Sequence, residues 1–173
     1  MDADALKALQ APIKDRYRTE PGAARITLSA EGTLDADAIA CKVETGKALV
    51  AAGLHPGTGG TGAFACSGDM LLQALAACAG VTLKAVATAL SVPIRAGTVR
   101  AEGDLDFRGT LGVAKDAPVG FSEIRLIFAL DTDAPRERLD RLLALTERYC
   151  VVLQTLQTPA RVSAAIEANG ARA

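Results

Sequence analysis

The chain has 173 residues, half of them apolar and only 3% aromatic, with no tryptophan. Its 19 basic and 20 acidic residues leave a net charge of −1 and form no block of one sign, which argues against a nucleic-acid-binding surface. The length suits one core, which must be built from alanine, valine, leucine and isoleucine.

The first residues, MDADALKALQAPIKDRYRTE, are charged throughout and unlike a secretory signal. The longest apolar stretch is interrupted by Gln73 and Lys84, which argues against a membrane span. These features predict a cytoplasmic protein. Residues 2–18 read as a polar helix interrupted at Pro12, part of an N-terminal extension over 1–21 ahead of a domain over 22–173.

Two strands with period-2 apolar spacing follow, RITLSA (Ile26, Leu28, Ala30) and IACKVE (Ile39, Cys41, Val43), separated by the loop GTLDAD. A long helix is predicted from about Ser67 to Leu90, with Ser67 as N-cap and Asp69 in the first turn, where a carboxylate suits the helix dipole. It is apolar almost all round, with Gln73, Lys84 and Thr88 on one narrow stripe, the pattern of a helix buried at the centre of its protein. TVRAEGDLDFRG and FSEIRLIFALD are strands, the latter with Ile124, Leu126, Phe128 and Leu130 in register. A second helix starts near Asp133 and Pro135 and carries Leu139, Leu142, Leu143, Tyr149, Cys150 and Leu153 at helical spacing. ARVSAAIEA is the last predicted strand. The order predicts an α+β fold with antiparallel hairpins.

The run GTGGTG, residues 57–62, fits the letters of a dinucleotide-binding turn. Its context does not fit, because no Asp or Glu occurs between Met70 and Ala101 to hold a ribose. It reads as a flexible loop. The four cysteines, Cys41, Cys66, Cys78 and Cys150, are too few and too scattered for a disulfide scaffold. Neither they nor the single histidine, His55, offer the short ligand spacing of a zinc site, so no metal is expected. Cys41 alternates inward with Ile39 and Val43. Cys66 precedes the long helix, where a thiolate is favoured, and stands as an accessory thiol. Cys78 and Cys150 each lie on an apolar helical stripe.

The stretch SGDMLLQALAACAGVTL resembles the central helix of the OsmC/Ohr family, the osmotically inducible and organic hydroperoxide resistance proteins, in which such a run carries the peroxidatic cysteine. ERYCVVLQTL resembles the second family signature, which carries the resolving cysteine. The resemblance spans roughly residues 22–168. It implies the OsmC-like fold, with antiparallel sheets around a long buried helix in an intertwined homodimer whose active sites lie at the subunit interface. It also implies thiol-dependent reduction of organic hydroperoxides. Cys78 would become a sulfenic acid, Cys150 would form a disulfide with it, and an external lipoyl-type dithiol would restore both. No bound cofactor, nucleic acid or membrane is implied.

The chain departs from the family pattern at the residues that activate the thiol. A Glu ten residues before the peroxidatic cysteine is replaced by Gly68, with Asp69 beside it, and no Arg occurs between Arg25 and Arg95. His55, Asp69 and Arg25 are the candidates for that role, with Arg148 a further cation. The other reading of the same residues is a non-catalytic dimer that binds a small apolar or thiol ligand at the interface.

Overall fold

The computed structural model describes residues 2–5, 7–8, 10–11, 19, 32–34, 40–44, 49–112, 114–168 and 171–172. Helical residues occur at 3–5, 7–8 and 10–11. The predicted interruption at Pro12, the strand over 26–30, Arg25 and the inward orientation of Cys41 lie outside the described residues.

A four-stranded sheet comes first, in the order β1 (Gly32–Leu34), β2 (Ala40–Glu44), β3 (Leu49–Gly53) and β4 (Ala65–Cys66). The first three strands are antiparallel, whereas β4 runs parallel to β3, with Gly53 opposite Cys66. Two features differ from the sequence expectation. The predicted loop at 32–37 begins as a strand, because Gly32–Leu34 pairs with Cys41–Val43. Strand β3, LVAAG, carries an unbroken apolar run with no alternation, so it gives no period-2 signal.

Helix α1 (Ser67–Ala89) follows directly. Its N-cap is Cys66 rather than Ser67, and no side chain caps it. The C-terminal end is closed by Ser91, a non-glycine residue at φ 53°, with the Val92 amide returning to the Ala87 carbonyl at 2.8 Å. The Arg138 guanidinium donates to the free carbonyls of Leu90 and Ser91 at 2.6 and 2.9 Å, a cation at the negative end of the helix dipole.

Strands β5 (Ala96–Leu105) and β6 (Phe121–Asp131) form the long antiparallel hairpin that the sequence predicts, with Val99 opposite Phe128 and Ala101 opposite Leu126. The first strand stops earlier than expected. Asp106 caps the Arg108 amide, and Phe107–Thr110 closes into a short helix, α2. The second predicted helix is two, α3 (Arg136–Tyr149) and α4 (Val151–Gln157), separated at Cys150. Of the predicted strand over 160–168, the described strand is β7 (Glu167–Ala168), paired with β8 (Ala171–Arg172), and residues 161–166 are exposed and outside any described strand.

Helix α1 packs on β5, α3 and α4. The core has two parts, one around Leu83, Ala87, Val92 and Leu142, the other around Leu75, Ala79 and Cys150, and Phe128 touches both. Burying a leucine such as Leu75 or Leu142 stabilises the fold by roughly 1.5–3 kcal/mol. The row Leu75, Ala79, Leu83, Ala87 is one face of α1 at four-residue spacing. The remaining faces are less covered within one chain than the sequence suggests, since Val81 is 73% exposed and Leu71 37%. By length and composition alone, α1 could cross a membrane.

Candidate functional site

Cys78 projects from the middle of α1, at the edge of the cluster formed by Leu75, Ala79 and Cys150. Cys150 reaches it from the break between α3 and α4. At φ −74°, ψ 106° Cys150 is extended, so it is both the C-cap of α3 and the N-cap of α4. Its amide still donates to the Thr146 carbonyl at 2.9 Å, and its carbonyl accepts from the Gln154 amide at 2.9 Å. The Gln154 side chain then ties the new helix back to the Glu147 carbonyl at 2.9 Å. The backbone therefore turns at one residue with the Cys150 amide and carbonyl still bonded, while the first amides of α4 are left without intrahelical partners.

Those amides meet the Cys78 sulfur. Burial pushes the Cys78 thiol up. The Val152 amide, the Cys150 thiol, the Val151 amide and the Thr82 hydroxyl together outweigh it and hold Cys78 below its ordinary value of 9.0. The Thr82 hydroxyl lies 2.8 Å from the Cys78 carbonyl, so its single proton is shared between that oxygen and the sulfur. Cys150 moves the other way. Burial is again the largest influence and raises it; the Leu153 and Val152 amides lower it; the hydrogen bond to Cys78 and the charge of the Cys78 thiolate raise it further, leaving Cys150 above 9.0. The pair is thus asymmetric, with the partly buried Cys78 lowered and the fully buried Cys150 raised from the ordinary thiol value.

The other candidates lie elsewhere in the chain. His55 caps the turn Pro56–Thr58, its Nδ1 accepting the Gly57 amide at 2.9 Å, and its ring stacks on Phe107 at 4.9 Å. Cys66 and Asp69 line a cavity with it at the N-terminus of α1. Cys66 and Cys78 are twelve positions apart on this helix, which is about 18 Å along the axis. The Arg148 guanidinium lies over the exposed Tyr149 ring, 5.5 Å from its centroid. Among the described residues, no histidine, carboxylate or arginine is among the groups acting on Cys78 within the chain, and no three His, Cys, Asp or Glu side chains are placed to hold a metal ion.

Sequence reasoning brings both cysteines to apolar helical stripes but misses the amides of Val151 and Val152. Helical spacing runs on through Leu142, Thr146, Cys150 and Leu153, so one residue of extended backbone leaves the pattern intact. The available signal is the β-branched pair Val151–Val152, a weak helix former placed just past the break. Thr146, fully buried and donating to the Leu142 carbonyl at 2.8 Å, is a core residue that the apolar stripe omits.

Comparison with known proteins gives the same architecture. The OsmC-like protein of Mycoplasma pneumoniae superposes with a TM-score of 0.64 at 17% identity, covering 78% of this chain and 89% of that one. An organic hydroperoxide resistance protein from Elizabethkingia anophelis gives 0.61 at 17% identity, covering 79% and 91%. One from Legionella pneumophila gives 0.60 at 15% identity, covering 78% and 92%. No curated protein matches the chain in sequence. The sequence pattern of the OsmC-like proteins matches residues 60–165, more than half of the chain and the whole of the segment bearing both thiols. By that match, and by the shared α+β architecture, the chain belongs to the OsmC-like protein family.

Proposed function

We propose that the protein is a two-cysteine organic hydroperoxide reductase, with Cys78 attacking and Cys150 resolving. The observation that carries this reading is the placement of Cys150, at the break between α3 and α4, in one core cluster with Cys78 of α1, its thiol hydrogen-bonded to the Cys78 sulfur. The Cys78 thiolate attacks the outer oxygen of ROOH. An S–O bond forms, the O–O bond breaks, and the departing alkoxide takes a proton to leave as ROH, giving the Cys78 sulfenic acid. The thiolate charge that held Cys150 protonated is then gone, which eases its ionisation. The Cys150 sulfur attacks the sulfenic sulfur, an S–S bond forms, and the hydroxyl leaves as water. An external dithiol of lipoyl type reduces the bridge by exchange, one of its sulfurs bonding first to the protein and its second closing the carrier disulfide.

The apolar surroundings of Cys78, with Leu75, Val152 and Leu156 in the same cluster, suit an alkyl peroxide better than hydrogen peroxide. Two structurally similar proteins, from E. anophelis and L. pneumophila, are named for organic hydroperoxide resistance. The working unit is a homodimer, with a second copy covering Val81 on α1 and Val151 at the start of α4, both more than 70% exposed in the single chain.

The test is a thiol count on the reduced protein before and after one equivalent of cumene hydroperoxide, with bridged peptides mapped. The expected result is loss of two thiols as a Cys78–Cys150 disulfide. Retention of all four thiols, while a control peroxidase reacts, would overturn the reading and leave a pocket without the chemistry.

A further inference from the structure

Peroxide reduction at Cys78 needs a proton as well as a thiolate. An alkoxide leaves readily only if it is protonated as the O–O bond breaks, and a positioned acid contributes about 10²–10⁴-fold to such steps. Among the described residues the chain offers few sources. Asp69 stands nine positions before Cys78 on α1, about 14 Å along the axis. His55 lines a cavity with Asp69 at that far end and stacks on Phe107. Thr82 is closer, but its proton is shared with the Cys78 carbonyl, and an alcohol is a far weaker acid than a thiol.

Cys150 is the one acid in contact with the reacting sulfur. It is 0% exposed and belongs with Leu75 and Ala79 to the core cluster against which Cys78 packs. Its position is set by the break between α3 and α4, where its amide and carbonyl are both hydrogen-bonded. Its S–H donates to the Cys78 sulfur. A proton is therefore in place beside the attacking atom before the peroxide arrives.

We infer, resting on the two-cysteine reading above, that Cys150 is also the general acid of the first step, giving its proton to the departing alkoxide and becoming the thiolate that resolves the sulfenic acid. The Cys78 thiolate forms an S–O bond to the outer oxygen. The electron pair of the O–O bond passes to the inner oxygen, which takes the Cys150 proton and leaves as ROH. Cys150, now a thiolate, attacks the sulfenic sulfur. The S–S bond forms, the S–O bond breaks, and the departing hydroxide takes up the proton that Cys78 released on ionising, leaving as water. The peroxide is reduced and the thiol pair is oxidised to a disulfide. Burial keeps Cys150 protonated in the resting pair, and the Cys78 thiolate adds to that hold. The second contribution ends as negative charge moves from the sulfur to the inner oxygen, so Cys150 becomes a better acid as the alkoxide forms.

The test separates this role from resolution, which follows the first step and cannot alter its rate. Cumene hydroperoxide releases an alkoxide, which needs an acid, whereas perbenzoic acid releases a carboxylate, which is stable as an anion near neutral pH. With each, loss of the free Cys78 thiol is timed by rapid quench, alkylation and peptide mass spectrometry, in the full chain and in its Cys150→Ala variant. A change in thiolate fraction or in access slows both peroxides alike and cancels in their ratio. The expected result is a fall of about a hundredfold in the ratio of the cumene rate to the perbenzoic rate. Cys150→Ser, close in size and a weaker acid, should fall in between. An unchanged ratio in either variant that keeps its native circular dichroism would overturn the inference, while a Cys78–Cys150 disulfide mapped in the full chain would leave the two-cysteine reading intact. A Cys78 that reacts with neither peroxide in the full chain would overturn both.

Discussion

The charged side chains of β5 and β6 and the thiols between α1 and α4 handle charge in opposite ways. On the hairpin, Arg125 donates to Asp104 at 2.8 Å and lies 3.1 Å from Glu123, while Arg95 donates to Asp131 at 3.0 Å and to Asp133 at 3.1 Å. Each cation has its own carboxylates, and both guanidinium pKa values move further above their ordinary range as a result. At Cys78 the charge is met by backbone amides and a neutral thiol. Amides held by the start of α4 cannot swing to another partner, and they need no counter-charge of their own. The difference teaches that, among the described residues, backbone amides and a neighbouring thiol rather than a cation lower Cys78. The missing Glu at Gly68 and the absence of Arg between Arg25 and Arg95 therefore do not leave Cys78 an unsupported buried thiol.

The largest break in this comparison comes from the sulfurs themselves. Cys78→Ser is expected to abolish consumption of cumene hydroperoxide, because an alcohol at that position is not ionised near neutral pH and cannot form the sulfenic acid. Cys150→Ser is expected to complete one oxidation per chain and then stop, with sulfinic acid accumulating on Cys78 in the mass spectrum, since no second thiol intercepts the sulfenic acid. Cys150→Ala, which keeps no donor at this position, loses the hydrogen bond from Cys150, the second-strongest group lowering Cys78. The pH profile of Cys78 alkylation should then move to higher pH. Normal turnover by Cys78→Ser would sink the assignment.

Sequence reasoning reaches the two thiols and the hairpin for one physical reason: both depend on periodic burial. Ile124, Leu126 and Phe128 alternate because one side of β6 meets α1, and Cys78 and Cys150 sit on helical stripes that share a core cluster. What supports Cys78 is not periodic. The break at Cys150 is a single backbone angle, ψ 106°, within an apolar spacing that continues unbroken. Backbone amides carry no side-chain signature of their own, and the β-branched pair Val151–Val152 is only an indirect sign of the break that frees them. Chain order also hides partners, and so His55 and Cys66 reveal a common cavity only when β3 and β4 bring Gly53 and Cys66 side by side.

A smaller and more selective break removes one amide and leaves every side chain near the sulfur except Val151. Val151→Pro suits the local backbone. The residue is the first of α4, where proline is favoured, and Cys150 before it already has the extended conformation that proline demands. The Val151 amide is one of the groups lowering Cys78. Losing a hydrogen bond to a charged sulfur should slow peroxide consumption near neutral pH by roughly tenfold. The sign for stability follows from the direction of the shift. A thiol lowered on folding contributes stability that is present above its unfolded value of 9.0 and is lost as pH falls through the folded value. Val151→Pro should therefore reduce stability most at alkaline pH and least in acid. Denaturant midpoints across pH check this, and an equal loss at every pH would point to backbone damage instead.

The smallest expected effect sharpens the other side of the comparison. Arg125→Ala removes the cation shared by Asp104, Glu123 and Glu102, all on the exposed face of the hairpin. Solvent-exposed pairs contribute little and are screened by salt, so a slight fall in melting temperature is expected, shrinking further as salt is added. Asp104 loses the guanidinium that lowers it, so its carboxyl should titrate closer to its ordinary value, which an NMR pH titration would follow. The alkylation profile of Cys78 should not move, because Arg125 is not among the groups acting on it. A shift of that profile in Arg125→Ala would mean that surface charge reaches the thiol after all, and that the amides alone do not account for its bias.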